Sequence, residues 1–415
     1  MRGILWIVLL FGVAVVAAST FGRNDGLVSI FFGHWRTDLS LNLFVVLVLL
    51  ACATLLVAFR SISGLLSLPR RSHAWRQLRL ERAAQAALRE SLAEYFAARY
   101  SRAHRAAQKA LDVQRGSEAL RADADFSALG HLLASASLHR MHDRARRDDQ
   151  MRRLQSLRRK GEASRPADEG ARLVAVEWAI DDRDAERAMT LLGELPAGVA
   201  RRMQAVRLRL LAQRLTRQPL QALATARLLA KHRAYSPAAA QGLLRTLALE
   251  ALDTARDADT LRGVWQQLDA ADRDDARIAA HAALVACRFG AHEDARGWLR
   301  PLWQRIDRLE GDERQWVALA LMEACAGIGS DWLAELERAA TLCPTDPAVA
   351  AAVGSALVER QLWGKARRPL EQAAAAAGLS TPARRRAWRL LARLAEQDND
   401  PQRAHACEHA AASID

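Results

Sequence analysis

Residues 347–375 read PAVAAAVGSALVERQLWGKARRPLEQAAA, and this stretch decides the fold. A fixed order of small, large and aromatic residues runs through it: Gly354, Leu357, Leu362, Trp363, Ala366, Leu370 and Ala373. Small residues at Gly354 and Ala366 let two helices approach closely, while the large residues fill the space toward neighbouring helices. The stretch therefore predicts two helices in close contact, packed against further pairs of the same kind.

Parts of this spacing recur along the chain. Pro344 ends a preceding unit, in which Trp332 occupies a small-residue position, so we expect that unit to be distorted. The turn and second helix appear again at Gly290–Leu299, Asp184–Leu192 and Tyr95–Ala110, and a last pair at Pro382–His409. Recurrence at roughly 34 residues is typical of the tetratricopeptide repeat (TPR). The sequence predicts roughly eight or nine TPR-like helix pairs stacked into an α-solenoid with a concave binding groove.

The composition favours an all-α chain. Alanine, leucine and arginine are strong helix formers, and β-branched and aromatic residues become sparse after about residue 60. Residues 235–275 match the repeat poorly and fit plain helical hairpins as well. The five cysteines are an odd number without a Cys-x-x-Cys motif, which argues against a disulfide framework.

Two uncharged stretches, Ile4–Phe21 and Leu39–Phe59, are each near the ~20 residues that cross a bilayer as a helix. A cleavable signal peptide is the alternative for the first, since Val16–Ser19 resembles a cleavage site. The second stretch follows at once, which favours a retained transmembrane hairpin. The loop between them has balanced charge, with two arginines and two aspartates in residues 22–38.

A basic segment follows the second stretch and includes Arg60, Arg70, Arg71 and Arg76. The positive-inside rule places it in the cytoplasm, in contact with anionic lipid, although a plain linker fits it equally. We therefore expect three parts: a transmembrane hairpin with a short periplasmic loop (residues 1–60), a basic juxtamembrane linker (61–80) and a cytoplasmic TPR-like domain (81–415).

This order of features resembles the HemY family, proteobacterial inner-membrane proteins associated with haem biosynthesis. The short motifs Gly26–Ile30, Asp38–Leu41 and Gly130–Ala134 carry the resemblance beside the order of spans and repeats. It implies a multi-pass inner-membrane protein without catalytic activity that binds enzymes of porphyrin and haem synthesis. The flavin-dependent protoporphyrinogen oxidase of the same name is excluded, because the N-terminus here is apolar and carries no Gly-x-Gly-x-x-Gly.

Three residues are candidates for binding haem. Cys343 precedes Pro344, as in the Cys-Pro element of some haem-regulated proteins, although a buried packing cysteine fits the position better. His405 and His409 lie four residues apart on one helical face, a spacing that clasps metals, but no third ligand is near and we expect no metal site. Gly327 and Gly329 fit a turn between helices better than a nucleotide-binding loop.

The remaining candidates favour binding over catalysis. No grouping of serine, histidine and carboxylate indicates a catalytic site, so we expect no enzyme and no resident cofactor apart from haem. The arginine-rich stretch Arg140–Lys160 contains no aromatic residue for base stacking, which argues against nucleic acid. The sequence predicts a membrane-anchored scaffold for haem-pathway proteins. A general cell-envelope assembly factor and a direct haem or porphyrin binder are the alternatives, and the oligomeric state stays open.

Overall fold

The computed structural model of the chain describes residue 12, residues 26–159 and residues 165–414. Helices dominate, so the predicted helical class is confirmed, with one two-stranded sheet in addition. The chain forms two compact units, residues 1–168 and 169–415. The predicted first span, Ile4–Phe21, falls almost wholly outside the described residues.

The sheet lies where the sequence analysis expected a short loop. Strands β1 (Leu27–Phe32) and β2 (Trp35–Ser40) pair antiparallel, with Val28 opposite Leu39 and Phe32 opposite Trp35. Gly33, with φ of +61°, provides the left-handed backbone that the tight turn requires. β-branched and aromatic residues alternate through β1, which favours a strand over an irregular loop.

Helix α1 (Leu41–Phe96) follows β2 directly and continues for 56 residues. At 1.5 Å per residue, such a helix is roughly 84 Å long. Residues 61–80, expected as a juxtamembrane linker, are helical throughout and belong to α1. Its leucine, arginine and alanine residues are strong helix formers. One helix therefore serves both as the apolar segment and as the first helix of the first pair.

The rest of the first unit packs on the second half of α1. It contains α2 (Tyr100–Gly116), α3 (Glu118–Arg121), α4 (Ala124–Arg140) and α5 (Arg144–Arg159). α2 packs on α1, α4 on α2 and α5 on α4. The Gln114 side chain closes the turn after α2 by donating to the Leu120 carbonyl at 2.8 Å and the Asp123 carbonyl at 2.9 Å.

The second unit consists of consecutive helices joined by short turns. They are α6 (Arg165–Asp181), α7 (Ala185–Gly193), α8 (Ala197–Ala200), α9 (Met203–Leu215), α10 (Pro219–Lys231), α11 (Pro237–Leu252), α12 (Ala258–Gln267), α13 (Ala270–Arg273), α14 (Ala276–Arg288), α15 (His292–Trp303), α16 (Gly311–Glu323), α17 (Leu333–Leu342), α18 (Pro347–Glu359), α19 (Trp363–Ala375), α20 (Thr381–Gln397) and α21 (Pro401–Ala412). Short 3₁₀ turns at Ile306–Arg308 and Ser330–Trp332 precede α16 and α17.

These helices form two layers. The first helices of successive pairs contact one another in the order α11, α14, α16, α18, α20, and each also packs on a second helix, such as α15 on α14 or α19 on α18. A continuous apolar core runs between the layers from Val206 to Cys407. Trp332, expected to distort its unit, is buried in the 3₁₀ turn before α17, which begins only after it.

The same turn joins seven helix pairs in the described parts of the chain. In each, one residue has a φ between 53° and 75°, and the next backbone N–H donates to the carbonyl five residues earlier at 2.9–3.0 Å. The residues with positive φ in these seven turns are Ala98, His142, Arg183, Arg217, Gly290, Gln361 and Asn399. Arg233, with φ of 55°, forms the same turn between α10 and α11. This is the Schellman motif, which satisfies the last carbonyls of a helix. Its recurrence is direct evidence that the pairs are built alike.

Candidate partner-binding surfaces

The apolar first third of α1 is the first candidate functional feature. Residues Leu41–Arg60 have a mean hydropathy of 2.8, and none of this segment is buried in the protein. Twenty helical residues extend about 30 Å, the thickness of the hydrocarbon core of a bilayer. Among the described helices it is the one long and apolar enough to cross a membrane.

Positive charge is concentrated in the first unit. Residues 1–168 contain 26 lysines and arginines against 14 acidic residues, whereas residues 169–415 contain 34 against 33. Arg60 and Arg76, predicted to contact the membrane surface, are exposed, while the side chains of Arg70 and Arg71 lie outside the described part. We define the basic patch as the exposed cations of α1 and α2 that have no acidic partner among the described residues: Arg76, Arg79, Arg82, Arg89, Arg102, Arg105 and Lys109.

Charged and aromatic side chains of the first-helix layer contact one another across neighbouring helices. The Arg277 guanidinium of α14 lies 5.3 Å from the ring centre of Trp316 on α16. His281 Nε2 lies 2.7 Å from Asp253 Oδ1 at the end of α11, and Arg386 of α20 pairs with Glu323 of α16 at 2.5 Å.

Half-buried apolar residues lie among these contacts. We define the first-helix row as Leu249, Arg277, His281, Leu284, Trp316, Leu319 and Glu323. Arg277, His281 and Leu284 follow at steps of four and three residues, so they share one face of α14. A partly exposed tryptophan and leucines flanked by charges suit the binding of a helical or extended segment of another protein.

The second-helix layer also contains ion pairs, and they recur from one repeat to the next. Arg262 of α12 pairs with Asp294 of α15 at 2.7 Å, and Arg300 of α15 pairs with Glu335 of α17 at 2.9 Å. The series continues between α17 and α19 and between α19 and α21, through Lys365 with Glu337 at 2.9 Å and Arg403 with Glu371 at 2.5 Å. The partners lie 28–35 residues apart in sequence, which is one repeat. These residues connect successive pairs.

The predicted packing residues lie at the contact between α18 and α19. Gly354, Ala366, Leu370 and Ala373 are buried, with 0% exposure for the last three, and Leu357 is 4% exposed. A β-carbon at Gly354 would lie 2.7 Å from Leu370 Cδ2. Trp363 is half-buried at the start of α19. Pro344 is exposed in the turn before α18, and its carbonyl accepts from Gln372 Nε2 at 2.8 Å.

The haem candidates lie in unlike surroundings. Cys343 is 8% exposed and belongs to the core, and burial raises the pKa of its thiol, which disfavours the thiolate that binds iron. His405 and His409 are exposed on α21, whereas Cys407 is buried on its opposite side. Within residues 26–159 and 165–414, no three His, Cys, Asp or Glu side chains form a group suited to a metal ion.

Two other candidates have structural roles. Gly327, with φ of +67°, lies in the turn after α16 and donates its N–H to Glu359 Oε1 at 3.0 Å, so this segment is a turn between helices. On the arginine-rich helix α5, Asp149 pairs with Arg153 at 2.9 Å, and the buried Arg147 pairs with Asp148 at 2.9 Å. The carboxylates of α5 therefore offset part of its positive charge.

The hairpin replaces the loop expected between the two apolar stretches, and its strand β1 has apolar residues at alternate positions, Val28, Ile30 and Phe32. The register places these residues on one face together with Trp35, Thr37 and Leu39. The other face carries a polar network: Ser29 Oγ donates to Asp38 Oδ1 at 2.5 Å, and Arg36 Nε donates to the same oxygen at 3.1 Å. The Arg36 guanidinium also lies 5.6 Å from the ring centre of Phe31.

The comparison with protein families identifies the part of the chain that carries these N-terminal features. Residues 26–128 match the family model described as "HemY protein N-terminus". The matched region comprises the hairpin, α1, α2, α3 and the first residues of α4. No curated protein matches the chain. The chain thus carries the N-terminal domain of the HemY family, which confirms the resemblance seen in the sequence.

Proposed function

We propose that this protein is a membrane-anchored, TPR-like scaffold that supports haem biosynthesis by binding proteins of the pathway, without catalysing a reaction itself. The HemY N-terminal domain supplies the link to haem synthesis. The alternating helices, the recurrent Schellman turns and the ion pairs one repeat apart support the TPR-like solenoid. Such solenoids bind other proteins along a surface formed by equivalent helices.

One observation carries the proposal: α1 is both the apolar segment and the first helix of the first helix pair. Buried packing begins at Ala84, in the same helix that contains Leu41–Arg60. A protein bound to the stacked helices is therefore held near the bilayer. Porphyrin intermediates late in the pathway are apolar, and tethering raises the effective concentration of enzymes that exchange them.

The first-helix row is the proposed binding surface. Its apolar members remain partly exposed, while the charges of the second-helix layer are used between repeats. Trp316 has the features of a binding hot spot, since it is aromatic, partly accessible and covered on one side by Arg277. A row of partly exposed apolar side chains suits the binding of a helix or an extended strand of a partner.

The basic patch is the proposed second contact, directed at an acidic protein surface. Arg76 follows Arg60 by 16 residues, so a continuous helix holds it about 24 Å farther from the bilayer. Lipid headgroups attract charges only within a Debye length of about 8 Å. Even a tilt of 40° leaves Arg76 roughly 18 Å away, so an acidic partner explains the patch better than lipid.

The proposed location is the bacterial inner membrane, with two spans and the helical units in the cytoplasm. The excess of arginine and lysine after Arg60 supports this orientation through the positive-inside rule. The uncharged stretch Ile4–Phe21 is the proposed second span, and the hairpin would then lie on the periplasmic side.

The test is purification of the tagged full chain from detergent-solubilised membranes, with mass spectrometry of the proteins that accompany it. We expect haem-pathway enzymes, and we expect Trp316→Ala to reduce their recovery severalfold. Trp298→Ala is the matched control, because Trp298 is a half-buried tryptophan of the second-helix layer that stacks on Trp265. Recovery of envelope-assembly proteins instead would favour the general assembly factor.

Direct binding of haem or porphyrin is tested separately. A Soret band in the pure protein that is lost in Cys343→Ala or His409→Ala would favour that function over the scaffold. Because Cys343 is a core residue, Cys343→Ser serves as the control for packing. A colourless protein that added haemin leaves unchanged would agree with the scaffold.

A further inference from the structure

The β1–β2 hairpin is amphipathic in a way that the scaffold function leaves unexplained. Its apolar face carries the apolar side chains of Val28, Ile30, Phe32, Trp35 and Leu39 together with the uncharged Thr37, and it has no charged side chain. Phe32 is 86% exposed and Trp35 is 81% exposed, although they are directly cross-strand partners. The largest apolar side chains of the hairpin are therefore also among its most accessible.

The opposite face is internally satisfied. Asp38 accepts from both Ser29 and Arg36, and Arg36 also lies over the Phe31 ring. Positive and negative charge cancel within this network. The pKa of Asp38 is lowered by these hydrogen bonds, so the carboxylate stays ionised. Leu27 and Phe31 also lie on this face, 69% and 70% exposed, so it is apolar in part. Both charged side chains of the two strands, Arg36 and Asp38, belong to it and favour contact with water.

A two-stranded hairpin of this size is at best marginally stable in water without a surface to pack against. Within residues 26–159, the hairpin makes its main helix contacts with α1, and the Leu41 N–H donates to the Gly26 carbonyl at 2.9 Å at their junction. No helix of these residues covers Phe32 or Trp35. The apolar face thus requires a cover that these residues do not supply.

We propose that the hairpin lies flat on the bilayer at the N-terminal end of α1, with its apolar face in the boundary between headgroups and acyl chains. Continuity with the span carries this assignment. Ser40 is the last residue of β2 and Leu41 is the first of the apolar helix, so no spacer separates the two. Ser40 has extended backbone angles, φ −65° and ψ 141°, which let the strand direction depart from the helix axis.

The side chains fit this depth in the bilayer. Tryptophan is enriched at membrane interfaces, where its apolar ring meets lipid and its indole N–H meets water. Phenylalanine is common on the apolar face of segments that lie in the interface. Trp35 and Phe32 lie at the turn end of the hairpin, while Val28 and Leu39 lie at the end next to the span. Contact along the whole face would fix the hairpin as a second point of attachment beside the helix.

Lipid covers the apolar face of the hairpin better than a protein partner would. The face carries no charge to select a partner, and it begins immediately beside a segment that must itself be covered by lipid if α1 spans the membrane. The proposal rests on that anchoring by α1. It is independent of which proteins bind the helical repeats. Its consequence is that attachment at two points limits rotation of α1 about its axis.

The experiment compares spin labels at neighbouring residues on opposite faces of the hairpin. The full chain carries Phe32→Cys on the apolar face or Phe31→Cys on the polar face, with Cys52→Ser and Cys287→Ser in both. The three remaining cysteines are buried. In vesicles of phosphatidylethanolamine and phosphatidylglycerol, collision of the nitroxide with oxygen reports lipid, and collision with a water-soluble nickel chelate reports water.

We expect the label at residue 32 to collide mainly with oxygen and the label at residue 31 mainly with nickel, with ratios that differ severalfold. Labels at Ile30→Cys and Ser29→Cys repeat the comparison in case a variant at the turn disturbs folding. Equal nickel collision on both faces would overturn the proposal. A label at residue 32 that is immobile and shielded from both reagents would overturn it as well, because a protein would then cover the face.

Discussion

Gly354 of α18 lies so close to Leu370 of α19 that a β-carbon on the glycine would be 2.7 Å from both Cγ and Cδ2 of the leucine. Real β-carbons do not approach other atoms so closely, and Leu370 has 0% exposure and little room to move. The contact sets the distance between the two helices of this pair. Gly130 of α4 has the same relationship to Leu111 of α2, with Leu111 Cδ2 at 2.7 Å.

Adding one methyl group at this contact should destabilise the second unit. We expect Gly354→Ala to lower the free energy of unfolding by about 1–3 kcal/mol, the usual effect of overpacking a core. Urea unfolding followed by circular dichroism measures it. Gly364→Ala in α19 is the control, because nothing lies within 4 Å of its added β-carbon. The alanine there should leave stability unchanged or raise it by about 0.5–1 kcal/mol. Equal losses in both variants would contradict the close contact.

The second prediction concerns the residue with positive φ in the recurrent turn. Gln361 has φ of +58°, where residues other than glycine are strained by about 1–2 kcal/mol. Gln361→Gly should therefore raise the midpoint of urea unfolding, although the added freedom of the unfolded chain offsets part of the gain. Gly290→Ala, at the equivalent position with φ of +75°, should lower the midpoint. Gly297→Ala within α15, in open surroundings, is the control and should not lower it.

Asp346 both caps helix α18 and pairs with Arg314, and two different substitutions distinguish these roles. Its Oδ1 accepts from the Ala348 and Val349 N–H groups at 2.9 and 3.2 Å, and its Oδ2 faces Arg314 at 3.4 Å. Asp346→Ala removes both and should lower the free energy of unfolding by about 1–2 kcal/mol, mostly through the lost helix cap. Asp346→Asn keeps a capping oxygen and should be clearly milder. If the two variants unfolded at the same urea concentration, the ion pair with Arg314, and not the helix cap, would be the main contribution of Asp346 to stability.

Two half-buried histidines of the first unit predict a dependence of stability on pH. Burial lowers the pKa of His104 and His131 below 6.5, and His131 Nδ1 lies 2.7 Å from Gln150 Oε1. The unfolded chain takes up protons at about pH 6.5 while the folded chain does not, so stability falls as the pH drops below that value.

The measurement is urea unfolding of the full chain at a series of pH values between 5 and 8.5, in the wild type and in His131→Gln. Below about pH 6.5, we expect the free energy of unfolding to fall less steeply with decreasing pH in the variant than in the wild type. Above pH 7.5 these histidines bind no proton in either state, so the slopes there should agree and provide the internal control. If stability fell as steeply in the variant as in the wild type, His131 would not contribute to the pH dependence.

The sequence predicts the helices better than their ends. Ala366, Leu370 and Gly354 mark the contact within a pair, because close helix packing restricts those positions to particular sizes. The repeated turns escape prediction, since Ala98, Arg217 and Gln361 give no local sign of positive φ. In these turns, packing of the helices outweighs the preference of residues other than glycine for a negative φ.

The candidate surfaces were only partly predictable. The apolar segment follows from composition alone, whereas Arg277 and Trp316 meet only because α14 and α16 are adjacent in space. The segment at 61–80 resembled a linker because its charge and Pro69 suggest a break, yet the helix continues through it. The hairpin was overlooked because six-residue strands beside a long apolar run are easily taken for a loop.

The most direct test of the scaffold is the location of haem-pathway enzymes in cells. The inner-membrane fraction is isolated from cells that produce the full chain, the Trp316→Ala chain or the Trp298→Ala chain, at equal amounts in the membrane. The enzymes bound by the scaffold are then quantified by mass spectrometry. We predict that they sediment with the membrane in the full-chain and Trp298→Ala cells and shift to the soluble fraction with Trp316→Ala. An enzyme distribution that is the same in all three, and the same again without the protein, would contradict the scaffold.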